Sequence, residues 1–247
     1  MVSGPLPIVP VHGPVHASIR PPGSKSLTNR ALVIAAQSRS AARLTGVLDS
    51  DDTRVMVGAV GQRGWKFDQD LAAETIEFGA DPRAVSETAS EVTDLWLENS
   101  GTSIRFLTAA CATLVDRRTI RLDGNTRMRE RPIQPLVDAL AAWGADIRCE
   151  LGTGCPPVLL RGGGLSGREI SVAGNLSSQF LSALLMAAPQ ARGRVTLHVT
   201  GELVSRPYVD MTLQIMRDFG AEVTEPESNR FLIEPTGYRG RSYAIEP

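Results

Sequence analysis

Histidine and cysteine are scarce in this 247-residue sequence, with three of each. Cys111, Cys149 and Cys155 form an odd set without CxxC spacing, so neither a disulfide framework nor a cysteine-based zinc site is indicated. They read as small buried or half-buried residues. His12 and His16 have the i,i+4 spacing of a helical metal pair, but Gly13 and Pro14 between them break the helix that would align the rings. His198 sits in the alternating run VTLHVT and reads as a strand residue facing solvent. No metal and no cofactor is expected. An excess of one charge is also missing: 26 basic against 27 acidic residues leave a net charge of −1, which argues against nucleic-acid binding. Any cationic site must then be a local concentration of charge, with a small anion as its partner. No apolar run reaches the roughly 18 residues of a membrane span. The stretch MVSGPLPIVPVHGPVHASIR lacks the charged start and apolar core of a signal peptide, so a cytoplasmic protein away from membranes is expected.

What the sequence does contain is repetition. Three segments open with small polar residues and run into an apolar helix: SKSLTNRALVIAA, NSGTSIRFLTAACA and NLSSQFLSALLMAA. Aligning Arg30, Arg105 and Gln179 spaces them 75 and 74 residues apart. A second set of helices follows in DDTRVMVGAVGQRGW, RPIQPLVDALAAWGADI and RPYVDMTLQIMRDFGAEV, each closed by a glycine (Gly64, Gly144, Gly220). Strand-like pairs come next: WKFD and TIEF, DIRCE and PVLLRG, EVTE and RFLIEP. The expected fold is α/β (α+β), with three repeated βαβαββ units. The first helix of each unit is apolar nearly all round and must be buried centrally, so the units close around these helices with their sheets outside. The polar openings SKS, NSGTS and NLSSQ then converge on one rim, where backbone N–H groups, hydroxyls and cations form an anion site. Lys25 and Arg30 lie at a helix N-terminus, which already carries partial positive charge, and await such an anion.

Several of these residues have competing readings. Ser24, Ser26, Ser100 and Ser177 suit helix caps, although the neighbouring cations favour a ligand role. Asp49, Asp51 and Asp52 in LDSDDTR suggest paired catalytic carboxylates, but just before a helix they read as caps and first-turn charges. Arg129 and Arg131 are either solvated or paired with Glu130, and stay outside the site. The string GSKS hints at a nucleotide P-loop, yet the earlier glycine of GxxxxGK is missing.

The stretches PGSKSLTNRALVIAA, ENSGTSIRFLTAACA, DGNTRMRERPIQPLVDAL, GNLSSQFLSALLMAAP and SRPYVDMTLQIMRDFGAEV, in this order, resemble the 5-enolpyruvylshikimate-3-phosphate synthases of the shikimate pathway. The resemblance implies two similar domains of three βαβαββ units each, closing around the substrates. It assigns residues 1–19 to a C-terminal domain that is absent, 20–241 to the shikimate-3-phosphate-binding domain, and 242–247 to the start of the crossover. The implied reaction moves the enolpyruvyl group of phosphoenolpyruvate onto the 5-hydroxyl of shikimate 3-phosphate and releases phosphate. Lys25 would bridge the two substrates and transfer protons. Ser26, Arg30, Ser177, Ser178, Gln179, Ser205 and Tyr208 would hold shikimate 3-phosphate. Asn99, Gly101, Thr102, Arg127 and Gln179 would serve phosphoenolpyruvate, with Arg105 supporting the loop. Positioning and electrostatic stabilisation of a tetrahedral intermediate, without covalent catalysis, is the implied mechanism. The remaining acid/base groups would come from the absent domain, leaving this chain alone without turnover. Phe106 stands where many members have proline and Ser103 where alanine is frequent; both bear on glyphosate, the inhibitor that competes for the phosphoenolpyruvate site. A monomer is implied. Two alternatives stand beside this reading. One is the related transferase acting on UDP-N-acetylglucosamine, which typically has lysine followed by asparagine and a reactive loop cysteine. The other is a non-catalytic binding domain for phosphorylated acids.

Overall fold

The computed structural model describes residue 7 and residues 9–79, 92–116, 118–174 and 177–247. The first unit runs through α1 (Lys25–Ala36), β1 (Ala42–Thr45), α2 (Asp51–Arg63), β2 (Phe67–Asp70) and β3 (Thr75–Phe78). The second comprises β4 (Val92–Trp96), α3 (Gly101–Ala112), β5 (Thr119–Asp123), α4 (Gln134–Ala142), β6 (Asp146–Cys149) and β7 (Val158–Arg161). The third repeats the order in β8 (Glu169–Ala173), α5 (Ser178–Ala187), β9 (Val195–Thr200), α6 (Arg206–Asp218), β10 (Val223–Glu227) and β11 (Arg230–Ile233). A last strand, β12, spans Ser242–Ala244.

Each unit makes its own four-stranded sheet, in the orders β12-β1-β3-β2, β4-β5-β7-β6 and β8-β9-β11-β10. The leading strand pairs in parallel and the other two pairings are antiparallel. A helix must bridge a parallel pair, so α3 joins β4 to β5 and α5 joins β8 to β9. The first unit departs from the expected pattern. Its leading strand is β12 from the far end of the chain, in register Arg43 with Ser242 through Thr45 with Ala244. Residues 242–244, expected to begin a crossover, thus complete the first sheet. The described residues between 7 and 20 are exposed and form no strand.

The opening helices occupy the centre because their sequences leave no polar face. Thr28 to Ala36 of α1 and Phe180 to Ala187 of α5 are buried without interruption. Helix α3 packs against both α1 and α5, and α6 lies against α1 and α5. Three serines start these helices as caps: Ser24 accepts from Leu27 N–H, Ser100 from Ser103 N–H and Ser177 from Gln179 N–H. The second-layer helices end where glycine can take the left-handed conformation, at Gly64 (φ 92°), Gly144 (φ 102°) and Gly220 (φ 82°). Among the described residues no helix is long and apolar enough to cross a membrane.

Candidate functional site

Convergence of the three helix starts creates a cavity of about 340 Å³ lined by Lys25, Ser26, Asn29, Arg30, Thr102, Phe106, Ser177, Ser178, Gln179 and Tyr208. Arg30 is its most constrained member, only 2% exposed. Its Nε donates to Thr212 Oγ1 (2.7 Å), NH1 to the Ser26 carbonyl (2.9 Å), and NH2 to Ser182 Oγ (3.2 Å) and the Tyr208 carbonyl (3.3 Å). The guanidinium also lies 5.2 Å from the Phe106 ring centre and 5.9 Å from that of Tyr208. Burial pulls its pKa down to about 10, which leaves it charged at neutral pH. No carboxylate pairs with it among the described residues. A buried charge is ordinarily paired, so the cavity holds a cation whose counter-charge the fold does not supply.

The second unit brings two more guanidinium groups to the rim. Arg105 NH1 donates to Gln179 Oε1 (2.6 Å) and the Gly101 carbonyl (3.1 Å), while its Nε is buried without a partner. Gln179 Nε2 in turn donates to Thr102 Oγ1 at 3.1 Å, a clasp between α3 and α5. Burial first, then the charge of Arg131, holds the Arg105 pKa below its ordinary value. A methyl group on Gly101 would sit 2.5 Å from Arg131 NH1 and 2.8 Å from Arg105 NH1. Gly101 is therefore the residue that lets two like charges lie over one stretch of backbone. Asn29 adds a buried side-chain oxygen with no hydrogen-bond partner among the described residues.

Lys25 does not lie among cations alone. Its Nζ donates to Asp52 Oδ2 at 2.8 Å, with both side chains partly exposed. The acidic run LDSDDTR thus divides its labour. Ser50 caps α2 in a capping box with Thr53, Asp51 and Asp52 occupy the first turn, and Asp49 grips Arg54 at 2.6 and 2.7 Å instead of capping. Arg129 is paired with Asp123 (2.6 Å) rather than with Glu130.

A family model described as EPSP synthase (3-phosphoshikimate 1-carboxyvinyltransferase) matches residues 10–247. This chain belongs to the EPSP synthase family. Its relatives include the 3-phosphoshikimate 1-carboxyvinyltransferase of Pseudomonas savastanoi pv. phaseolicola, 43% identical over 244 residues, which is 98% of this chain and 56% of that protein. The enzyme of the same name from Rhizobium etli is 42% identical with the same coverage. The EPSP synthase of Acinetobacter baumannii superposes with a TM-score of 0.78 over 92% of this chain and 49% of that one; at 24% identity this is a likeness of fold. The chain spans about half the length of the curated relatives it matches.

Against the roles that EPSP synthase resemblance implied, the geometry sorts the residues into four places. Lys25, Ser26, Arg30, Thr102, Ser177, Ser178, Gln179 and Tyr208 line one cavity. Asn99 faces a neighbouring cavity of about 530 Å³, with Asp51, Asp52, Glu98 and Asn125. Gly101 lies beside the rim under Arg105 and Arg131, while Arg127 and Ser205 are exposed and line neither cavity. Ser205 occupies the N-cap position of α6 in the left-handed region (φ 60°), with its hydroxyl unused as a cap. Asn175 and Leu176 of the third opening lie outside the described residues. Sequence reading overlooked Asn29, Ser182 and Thr212 as neighbours of the cavity. Thr212 was within reach of a pattern search, since it stands one helical turn after Tyr208 on the same face.

Proposed function

We propose that this chain is the shikimate-3-phosphate-binding, N-terminal half of an EPSP synthase. The complete enzyme transfers the enolpyruvyl group of phosphoenolpyruvate to the 5-hydroxyl of shikimate 3-phosphate and releases phosphate. The observation that carries this reading is Arg30, a buried cation without a carboxylate, set in a cavity with the hydroxyls of Ser26, Ser177 and Ser178. Such donors suit the phosphate and carboxylate of shikimate 3-phosphate. Tyr208 offers a half-exposed ring to the carbocycle. Phosphoenolpyruvate binds between Lys25, Gln179 and Thr102 on one side and the Gly101 backbone on the other, with the Arg127 guanidinium, which has no hydrogen bond or ion pair within the described residues, turning to its phosphate. Lys25, held by Asp52, is the proton-transfer group of this half. Glyphosate takes the phosphoenolpyruvate position. Residues 9–19 pack on the other half, which closes the site and supplies the remaining acid/base groups; the isolated chain binds one substrate but does not turn over.

Cys111 does not match the reactive loop cysteine of the UDP-N-acetylglucosamine enzymes. Cys111 is buried in α3 and burial pushes its thiol up to about 12. The test is calorimetric titration of shikimate 3-phosphate into the chain, followed by a phosphate-release assay with both substrates, run with and without the separately expressed second half of a relative. Measurable binding and release only on mixing is the expected result. Release at an ordinary enzymatic rate by the chain alone, or no binding at all, overturns the reading.

A further inference from the structure

We infer that Ser182 and Thr212 are positioning residues, a neutral hydroxyl pair that, together with the Phe106 ring, holds Arg30 charged and un-neutralised for an anionic group of the substrate. Neither residue lines the cavity, and both are completely buried. Their hydrogen bonds can be assigned in only one consistent way. Thr212 Oγ1 donates its single proton to the Tyr208 carbonyl (2.7 Å), so toward Arg30 Nε (2.7 Å) it acts as acceptor. Ser182 Oγ, 2.9 Å from Thr212 Oγ1, must then donate to Thr212 and accept from Arg30 NH2 (3.2 Å). The acceptors of both hydroxyls are thereby turned toward the cation.

Two consequences follow from that arrangement. Nε, one N–H of NH1 and both N–H groups of NH2 are engaged by neutral oxygens, so of the five guanidinium donors one N–H on NH1 stays open to a ligand. Arg30 therefore meets its anion through one hydrogen bond and its full charge, not as a bidentate fork. Its plane is fixed beforehand by residues from three helices: Ser26 on its own, Ser182 on α5, and Thr212 with Tyr208 on α6. The Phe106 ring covers one face of the group from α3. A carboxylate in place of either hydroxyl would satisfy the cation more strongly and cancel the charge the ligand needs.

This inference rests on the reading that the cavity takes shikimate 3-phosphate, and the experiment separates the two. Thr212→Val removes the hydroxyl at nearly constant shape and should weaken shikimate 3-phosphate binding to the 247-residue chain by roughly tenfold or more, while Thr212→Ser stays within about threefold of the parent. Ser182→Asp places a carboxylate beside NH2 and should abolish binding while the chain keeps a cooperative thermal transition. In the absence of ligand, the Arg30 Nε–H resonance, assigned by its loss in Arg30→Lys, should be protected from solvent exchange in the parent and exposed in Thr212→Val. A parent that binds no shikimate 3-phosphate but shows this protection, lost in Thr212→Val, supports the cage and overturns the substrate reading. Unchanged affinity in both Thr212→Val and Ser182→Asp, or an unprotected resonance in the parent, overturns the cage.

Discussion

Arg30 and Arg63 are both arginines at 2% exposure on helices of the first unit, and each guanidinium lies against an aromatic ring. Arg63 donates to Asp116 at 2.6 Å, joining α2 to the loop after α3. Arg30 receives only hydroxyls, carbonyls and rings. Desolvation penalises both charges, but only Arg63 meets a counter-charge within the fold, through NH2, while its Nε and NH1 have no hydrogen-bond partner among the described residues. Burial of an arginine therefore says little about its role; the charge of its partners separates a cation that holds elements together from one kept for a ligand. Arg129 with Asp123 and Arg206 with Glu225 (2.6 Å each) share with Arg63 a carboxylate partner, though both of these guanidinium groups are more exposed.

Truncating each arginine in turn separates their roles most directly. Arg30→Ala should abolish measurable shikimate 3-phosphate binding by calorimetry while the chain still folds, since a charged hydrogen-bond partner contributes about 1.5–3 kcal/mol or more. Arg63→Ala should do the opposite: lower the thermal midpoint by several degrees, with a loss of about 1–3 kcal/mol after allowance for the partly exposed Asp116, and leave affinity within about twofold. A binding loss in Arg63→Ala equal to that in Arg30→Ala would erase the distinction. Gly101→Ala tests Arg105 and Arg131, which like Arg30 have no carboxylate partner among the described residues. The methyl group must push aside the flexible guanidinium ends of Arg131 and Arg105, which costs the fold little but moves both cations, so phosphoenolpyruvate and glyphosate binding in the full-length protein should fall roughly tenfold, about 1.4 kcal/mol, while shikimate 3-phosphate is spared. Equal loss for all three ligands would mean a misfolded loop. Phe106→Leu keeps the apolar wall but removes the ring face over Arg30, and a decrease in shikimate 3-phosphate affinity of about threefold is expected from a cation–π contact of about 0.5–1 kcal/mol. The smallest effect is expected from Asp52→Asn. Its pair with Lys25 is partly exposed and should shift stability by less than about 1 kcal/mol in chemical denaturation, so a larger change would class Lys25 with Arg63.

Much of this architecture is legible without coordinates where a local rule governs it. The serine caps at residues 24, 100 and 177, the glycine ends at 64, 144 and 220, and the burial of α1 and α5 follow from side-chain oxygens, from φ preference and from apolar periodicity, all decided within a few residues. Eight of the residues read as ligand-binding line one cavity for the same reason: they stand at or near the starts of three helices that must meet, or on the helix packed beside them. Asn99, Arg127 and Ser205 do not line that cavity because loop and cap conformation, not periodicity, aims them.

The repeat, the class of fold, the central helices and the family are written in the chain itself, because each rests on residue type at a fixed spacing along one segment. Tertiary structure alone decided which charges are cancelled. Nothing local says that Arg30 meets Thr212, 182 positions away, that Arg63 meets Asp116, or that Lys25 meets Asp52. It also decided that β12, from the end of the chain, takes the leading place in the first sheet. The physical reason is the same in each case. A hydrogen bond or an ion pair depends on distances of a few ångströms between atoms remote in sequence, and those distances exist only once the three units have closed on one another.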